Sequence, residues 1–259
     1  MKIELMQPKL LEILDYLYVD GLFPFSIITT KDGKLYSSQK EKEGFGYRYA
    51  MFLGDYFKSI TKEKESVKID IEKIKKFASL RKPDDVITLQ YPSPKFDSKI
   101  LIKGGRAKDN ISVTKIDEAE TKTGIPFKIE NKTPYLNKGQ TALDTHITIS
   151  LASFKEVTSY ATAHGTEFFK FSIGKDKKLE LRIGDIHDLD DFTTYEPNCQ
   201  VHNVNGSLDV TFTKGIKELS KTFTRDVEIH MKSNMPAWFS EVSQSHKFGV
   251  LLPPMKEQQ

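Results

Sequence analysis

Residues 67–89 read VKIDIEKIKKFASLRKPDDVITL, and the hydrophobic period of this stretch changes twice. Val67, Ile69 and Ile71 alternate with Lys68 and Asp70, the pattern of a strand with one buried face. Ile71, Ile74 and Phe77 then fall at helical spacing. Pro83-Asp84-Asp85 breaks the helix, and Val86, Ile87 and Leu89 open a second strand. The stretch is therefore a strand–helix–strand unit.

The same unit recurs on either side. Downstream, Ile147, Ile149 and Leu151 alternate, and Phe154, Val157 and Ala161 take the helical period. His164-Gly165 stops that helix, and Phe168, Phe169 and Phe171 follow as strand. Another copy runs through Leu208, Val210 and Phe212, then Ile216, Leu219 and Phe223, then Val227, Ile229 and Met231. Upstream, Ile3 and Leu5 precede Leu10, Ile13, Leu14 and Leu17, then Phe23, Phe25 and Ile27. The copies open at residues 3, 67, 147 and 208, so the middle interval is the longest. Its excess falls in Asp117 to Thr141, where Gly124, Pro126, Pro134 and Gly139 sit among polar residues. We expect two domains, 1–116 and 142–259, joined by a connecting linker, 117–141. Phe45 to Leu53, Lys99 to Lys103, Asn110 to Ile116, Lys178 to Ile183 and Lys247 to Leu252 also read as strands. The expected class is α+β: two similar domains of antiparallel sheet with two short helices each.

Composition excludes more than it selects. Against 36 acidic residues stand 39 basic ones, a net charge of +3 that does not by itself indicate nucleic acid. What matters is whether the signs segregate by face. One cysteine, Cys199, excludes an intrachain disulfide framework. No apolar run suggests a membrane span, and Met1-Lys2-Ile3-Glu4-Leu5 lacks a signal-peptide core, so an intracellular protein without membrane contact is expected. No nucleophile elbow, zinc-protease helix or phosphate loop is present. The six histidines are scattered, and His187 beside Asp188, Asp190 and Asp191 reads as an acidic surface loop. Trp238 and Phe239 read as core or interface packing. Neither an enzyme, a metal site nor a cofactor is expected.

The doubled strand–helix–strand domains and their long linker resemble the DNA sliding clamps called proliferating cell nuclear antigen. The local matches are Val67 to Leu89, Gly124-Ile125-Pro126, Asn234-Met235-Pro236 and Val250-Leu251-Leu252-Pro253. The resemblance implies a closed ring, usually a homotrimer, with helices lining a hole through which duplex DNA passes. It implies a processivity factor that slides without reading sequence and tethers DNA polymerase, a clamp loader and other replication and repair enzymes. Its location would be the cytoplasm or nucleoid, or the nucleus in a eukaryotic setting.

The resemblance also assigns residues. Toward DNA it points Lys73, Lys75, Lys76, Arg81 and Lys82 around the second helix. Lys155 on the third helix and Lys214, Lys217 and Lys221 around the fourth join them. The first helix departs from this pattern, setting Glu12 and Asp15 beside Lys9. A client-peptide pocket would use Ile125 and Pro126 of the linker, Pro236, and Val250, Leu251, Leu252 and Pro253, with Phe45 and Tyr47 as its far wall. Ring closure would pair Asn110, Ile111, Val113 and Lys115 with Leu179, Leu181 and Ile183 of the next subunit. Two other readings stay open. One is a checkpoint-type or hetero-oligomeric clamp subunit, or a monomeric viral processivity factor. The other is a β-rich protein that binds or hydrolyses a small ligand in a deep pocket.

Overall fold

The computed structural model describes residues 1–40, 46–116, 127–130, 133–136, 141–184 and 191–255, with backbone alone at 127–130 and Val242. Among these the chain forms four α-helices: α1 (Gln7–Tyr18), α2 (Ile71–Ser79), α3 (Leu151–Ala163) and α4 (Ile216–Thr222). Each follows directly on a strand, as the periodicity requires: Lys2–Met6, Glu65–Asp70, Thr145–Ile149 and Leu208–Phe212. The boundaries have local causes. The Asp70 carboxylate accepts the Lys73 N–H at 2.9 Å, capping α2. The Ser150 hydroxyl accepts the Ser153 N–H at 3.2 Å at the start of α3. Before α4, Gly215 takes a left-handed conformation (φ +92°), and a Cβ there would lie 2.7 Å from the Leu252 side chain.

The chain divides into two compact units. Unit 1 comprises Met1–Lys40, Arg48–Gly124 and Val242–Phe248; unit 2 comprises Glu41–Tyr47, Ile125–Glu241 and Gly249–Gln259. In unit 1, one sheet has the strand order Ser59–Ile60, Lys2–Met6, Val86–Gln90, Lys99–Gly104, Ala107–Ser112. A second run is ordered Glu65–Asp70, Phe25–Lys31, Lys34–Lys40, Tyr47–Phe52. Both halves of each strand–helix–strand unit pair antiparallel with the other copy: Lys2–Met6 with Val86–Gln90, and Phe25–Lys31 with Glu65–Asp70. Unit 2 repeats this arrangement. Thr145–Ile149 pairs with Val227–Met231, and Phe169–Ile173 with Leu208–Phe212. The internal repeat read from the sequence is thus a repeat of sheet topology.

In each unit the two helices lie side by side over the sheet and bury its apolar face. Leu10, Ile13, Leu14 and Leu17 of α1 cover Ile3, Leu5, Ile28 and Leu89. Arg48 is fully buried in unit 1. Its guanidinium donates to the Leu17 carbonyl at the end of α1 and to the Ser26 and Ser37 hydroxyls at 2.8 and 2.7 Å, and lies over the Phe23 ring. One side chain thereby ties the helix to two strands. Unit 2 instead centres on aromatic rings, with Phe212 5.5 Å from Phe171 and 5.4 Å from Phe239 between centroids.

The stretch that the sequence suggested as a linker has structure where it is described. Phe127–Glu130, Thr133–Leu136 and Thr141–Ala142 form a small antiparallel sheet. Phe239 is core, as the sequence suggested, and Trp238 is buried on the opposite sheet face, where its indole packs against Gly249 and leaves no room for a Cβ there.

Candidate functional site

Most of the basic side chains that the sequence singled out lie on or beside the second helix of each unit, and Lys155 lies on α3, the first helix of unit 2. Lys73, Lys76 and Lys82 are exposed in unit 1, as are Lys155, Lys214 and Lys221 in unit 2, while Lys217 is half-buried. Arg81 is a correction. Its side chain is 6% exposed and its guanidinium forms an ion pair with Asp109 on the strand Ala107–Ser112, so it serves the fold and not a surface. Lys75 is shared in another way: its ammonium bonds Asp15 of α1. That bond also bears on the acidic first helix. Asp15 is met by Lys75, and Glu12 by Lys9 at 2.8 Å and by the Tyr56 hydroxyl at 2.7 Å. The acid of α1 is largely answered within unit 1, at little energetic consequence per exposed pair.

Of the residues assigned to the client pocket, Phe45, Ile125 and Pro126 lie outside the described residues. Tyr47, Val250, Leu251 and Leu252 are buried, and Pro236 and Pro253 are half-buried. Val250, Leu251 and Leu252 belong to the strand His246–Leu252, and Leu252 packs on Gly215. They form the floor beneath the C-terminal segment and do not themselves offer an open apolar surface. Met255 continues past them, its N–H bonded to the Thr211 carbonyl at 2.7 Å.

The interface residues need the larger revision. Asn110 and Ile111 lie in the strand Ala107–Ser112, but the strand ends before Val113, whose N–H donates inward to the Ser98 carbonyl at 3.1 Å. That bond is the next rung of the register shared with Lys99–Gly104, so the Val113 N–H faces its own sheet, and Lys115 lies past it. Among the described residues the strand is an edge, flanked on one side by Lys99–Gly104. Leu179–Gly184 is not. The strand Phe192–Tyr195 pairs with it from Leu181 to Gly184, and Leu179, Leu181 and Ile183 turn their side chains into the core. Among the described residues Phe192–Tyr195 is one edge of that sheet, Leu208–Phe212 being the other. Sequence reasoning missed it because FTTY is short and follows an acidic stretch that reads as loop.

A group that sequence reading left apart is also assembled. Among the described residues, His146, Glu228 and His230 bring potential metal-ligand atoms within 4.8 Å of one another. His146 stacks on His230 at 4.2 Å and on His202 at 4.4 Å, centroid to centroid. Burial, reinforced by these two imidazoles, pushes the pKa of His230 down from 6.5 to about 4. Elsewhere, a cavity beneath α1 is lined by apolar side chains such as Leu10, Leu14 and Phe57, and so offers no acid, base or nucleophile.

No family model matches this sequence, and no curated protein matches it. Solved structures match it end to end. The PCNA of A. fulgidus, with the C-terminal region of FEN-1 bound, superposes with a TM-score of 0.76 at 16% identity, covering 100% of this chain and 99% of that one. The proliferating cell nuclear antigen of Entamoeba histolytica gives 0.77 at 14% identity, with 98% of each chain covered. PCNA from Thermococcus kodakaraensis gives 0.75 at 10% identity, covering 98% of this chain and 99% of that one. The class is therefore settled at the level of architecture: this chain has the PCNA sliding-clamp fold. No helix among the described residues is long and apolar enough to cross a membrane.

The reassignment of Arg81 is testable by stability. Arg81→Ala strands the Asp109 carboxylate and should cost about 3 kcal/mol in denaturant unfolding. Lys82→Ala, one residue on and exposed, should stay within about 0.5 kcal/mol of the parent. Equal midpoints for the two variants would return Arg81 to the surface.

Proposed function

We propose that this chain is one subunit of a homotrimeric ring that encircles duplex DNA, slides without sequence preference and tethers replication and repair enzymes, with no catalysis of its own. The observation that carries this reading is the full-length match to PCNA chains by a protein with a basic helix in matching repeat positions of both units. In this reading the domains are 1–116 and 142–259, with 117–141 connecting them. Exposed lysines on short helices suit a sliding ring, because phosphate contacts hold DNA without stalling on bases.

The internal repeat supplies an argument for how subunits join. Inside unit 1 the first residues of the strand His246–Leu252 lie beside Tyr47–Phe52 and close that edge. By repeat position, Ala107–Ser112 corresponds to His246–Leu252, and Phe192–Tyr195 to Tyr47–Phe52. Pairing Ala107–Ser112 with Phe192–Tyr195 of the next subunit would therefore copy a junction the chain already makes, and would satisfy both exposed edges. Counting from the two-residue turn Gly105-Arg106, Lys108, Asn110 and Ser112 direct their N–H groups outward.

Clients would dock at the connecting linker and C-terminal tail, over the floor formed by Val250, Leu251 and Leu252. The bound FEN-1 segment in the A. fulgidus structure supports a peptide-binding role for this fold. An apolar pocket with backbone groups at its rim suits a short peptide carrying a glutamine, an aliphatic anchor and two aromatics.

Three measurements test the parts separately. Light scattering should give three times 29.6 kDa for the parent, and monomers for Lys108→Pro, which removes an outward N–H and spares the internal ladder. A parent mass of one subunit would favour the monomeric or hetero-oligomeric reading. Replacing Lys73, Lys76, Lys217 and Lys221 with alanine should weaken polymerase stimulation and lower the salt slope by about 0.9 for each phosphate no longer neutralised. A loaded ring should remain on circular DNA and leave linear ends, and equal retention on both would exclude encirclement. A fluorescent client peptide should bind the parent with a Kd of about 1 μM, near −8 kcal/mol, and Ile125→Glu should abolish binding without changing the mass. Truncations aimed at this pocket must begin after Leu252, which is 3% exposed and part of the core.

A further inference from the structure

Three histidines separated by 56 and 28 residues in the chain become neighbours because of strand register. His146 lies on Thr145–Ile149, directly opposite His230 on Val227–Met231. On its other side, Thr145–Ile149 pairs with Cys199–Asn203, and the register shifts between His146 and Ile147. His146 faces Asn203 and Ile147 faces Val201, so His202 is the extra residue of a bulge. The bulge brings the His202 ring into the stack, where its Nε2 lies 2.8 Å from the Thr148 hydroxyl. Glu228 sits two residues before His230, on the same face of the same strand, opposite Thr148. All four side chains belong to unit 2 and project from the sheet face opposite Ile147 and Ile229, which are fully buried in the core.

His230 is oriented in the manner of a ligand. It is 4% exposed. Its Nδ1 is buried and has no hydrogen-bond partner among the described residues. That lone pair lies beside a second imidazole and a carboxylate, the donor set a transition ion takes.

We propose that His146, His230 and Glu228 form a binding site for a divalent transition ion of the zinc class, with His202 at its flank. Two imidazoles and one carboxylate match Zn(II), Co(II) or Ni(II), and not Mg(II) or Ca(II), which require oxygen ligands. The geometry is close to what an ion needs. For three atoms at most 4.8 Å apart, some point lies within ~2.8 Å of all of them, and Zn–N bonds are about 2.0–2.1 Å. Each donor closes by less than about 1 Å, which rotation of the stacked rings out of their parallel arrangement supplies. The ion would join two central strands of the unit, with His202 or water completing its shell. The site does not depend on ring formation or on DNA.

The test uses the untagged full-length protein, stripped with a chelator and dialysed. Isothermal titration with Zn(II) should give one ion per chain, and Co(II) should develop the visible d–d absorption of a four- or five-coordinate centre. Mg(II) and Ca(II) should give no heat at the same concentrations. His146→Gln and His230→Gln should each weaken Zn(II) at least 10-fold, with the parent's far-UV circular dichroism retained. His202→Gln should have the smaller effect, since Thr148 already holds its ring. Absence of Co(II) absorption and of Zn(II) heat in the parent protein would overturn the proposal. So would Zn(II) binding that is unchanged in both His146→Gln and His230→Gln. Because the parent titration decides the question by itself, a variant that failed to fold would not rescue or sink it.

Discussion

Backbone pairing between antiparallel strands is the constraint on which this protein depends. Each strand alternates its side chains between two faces, and each must satisfy its N–H and C=O groups on both sides or leave an edge. The alternation puts one face of every sheet under two helices. The pairing order then decides where edges remain. In unit 1 the edge at Tyr47–Phe52 is closed by the start of His246–Leu252, whereas among the described residues Ala107–Ser112 has a partner on one side. In unit 2 the corresponding edge is Phe192–Tyr195. Both the candidate assembly surface and the histidine cluster follow from this one ladder system, the first from where pairing stops and the second from how registers align.

Electrostatics refine the surface that the fold provides. A lysine count along α2 overstates its outward charge, because Arg81 is drawn into the fold by Asp109 and Lys75 leans toward Asp15. The same pairings soften the acidity of α1, whose Glu12 is held by Lys9 and Tyr56. The Lys75–Asp15 and Lys9–Glu12 pairs are exposed and contribute little to stability. Their effect is on the field near the helices, which is the quantity a passing phosphate backbone would sense.

The places where sequence and structure part have a common cause. Leu179, Leu181 and Ile183 have the alternation of a strand, and they form one. Alternation says that one face is buried; it does not say whether a further strand covers the flank. Phe192–Tyr195 does so here with four residues, too few to announce themselves after an acidic stretch. Likewise Val113 continues the ladder by one rung, but alternation in the sequence does not say that its N–H bonds the Ser98 carbonyl of its own sheet and is not offered outward. The reading of Arg81 failed for a related reason, since a helix-end arginine becomes buried only when a partner strand delivers Asp109 to it.

The sequence by itself determined the local units of this protein. Changes of hydrophobic period at Ile71, Leu151 and Ile216 mark where strand becomes helix, because burial of one face forces side-chain spacing to follow backbone geometry. Four such units, with the longest interval in the middle, fixed an α+β fold of paired repeats. Only the tertiary structure decided register, edges and long-range neighbours. His146, His202 and His230 carry no spacing signal, since their proximity depends on which residue of each strand faces which, and on one bulge. Those choices arise from packing of the whole sheet, and a linear pattern read one segment at a time does not contain them.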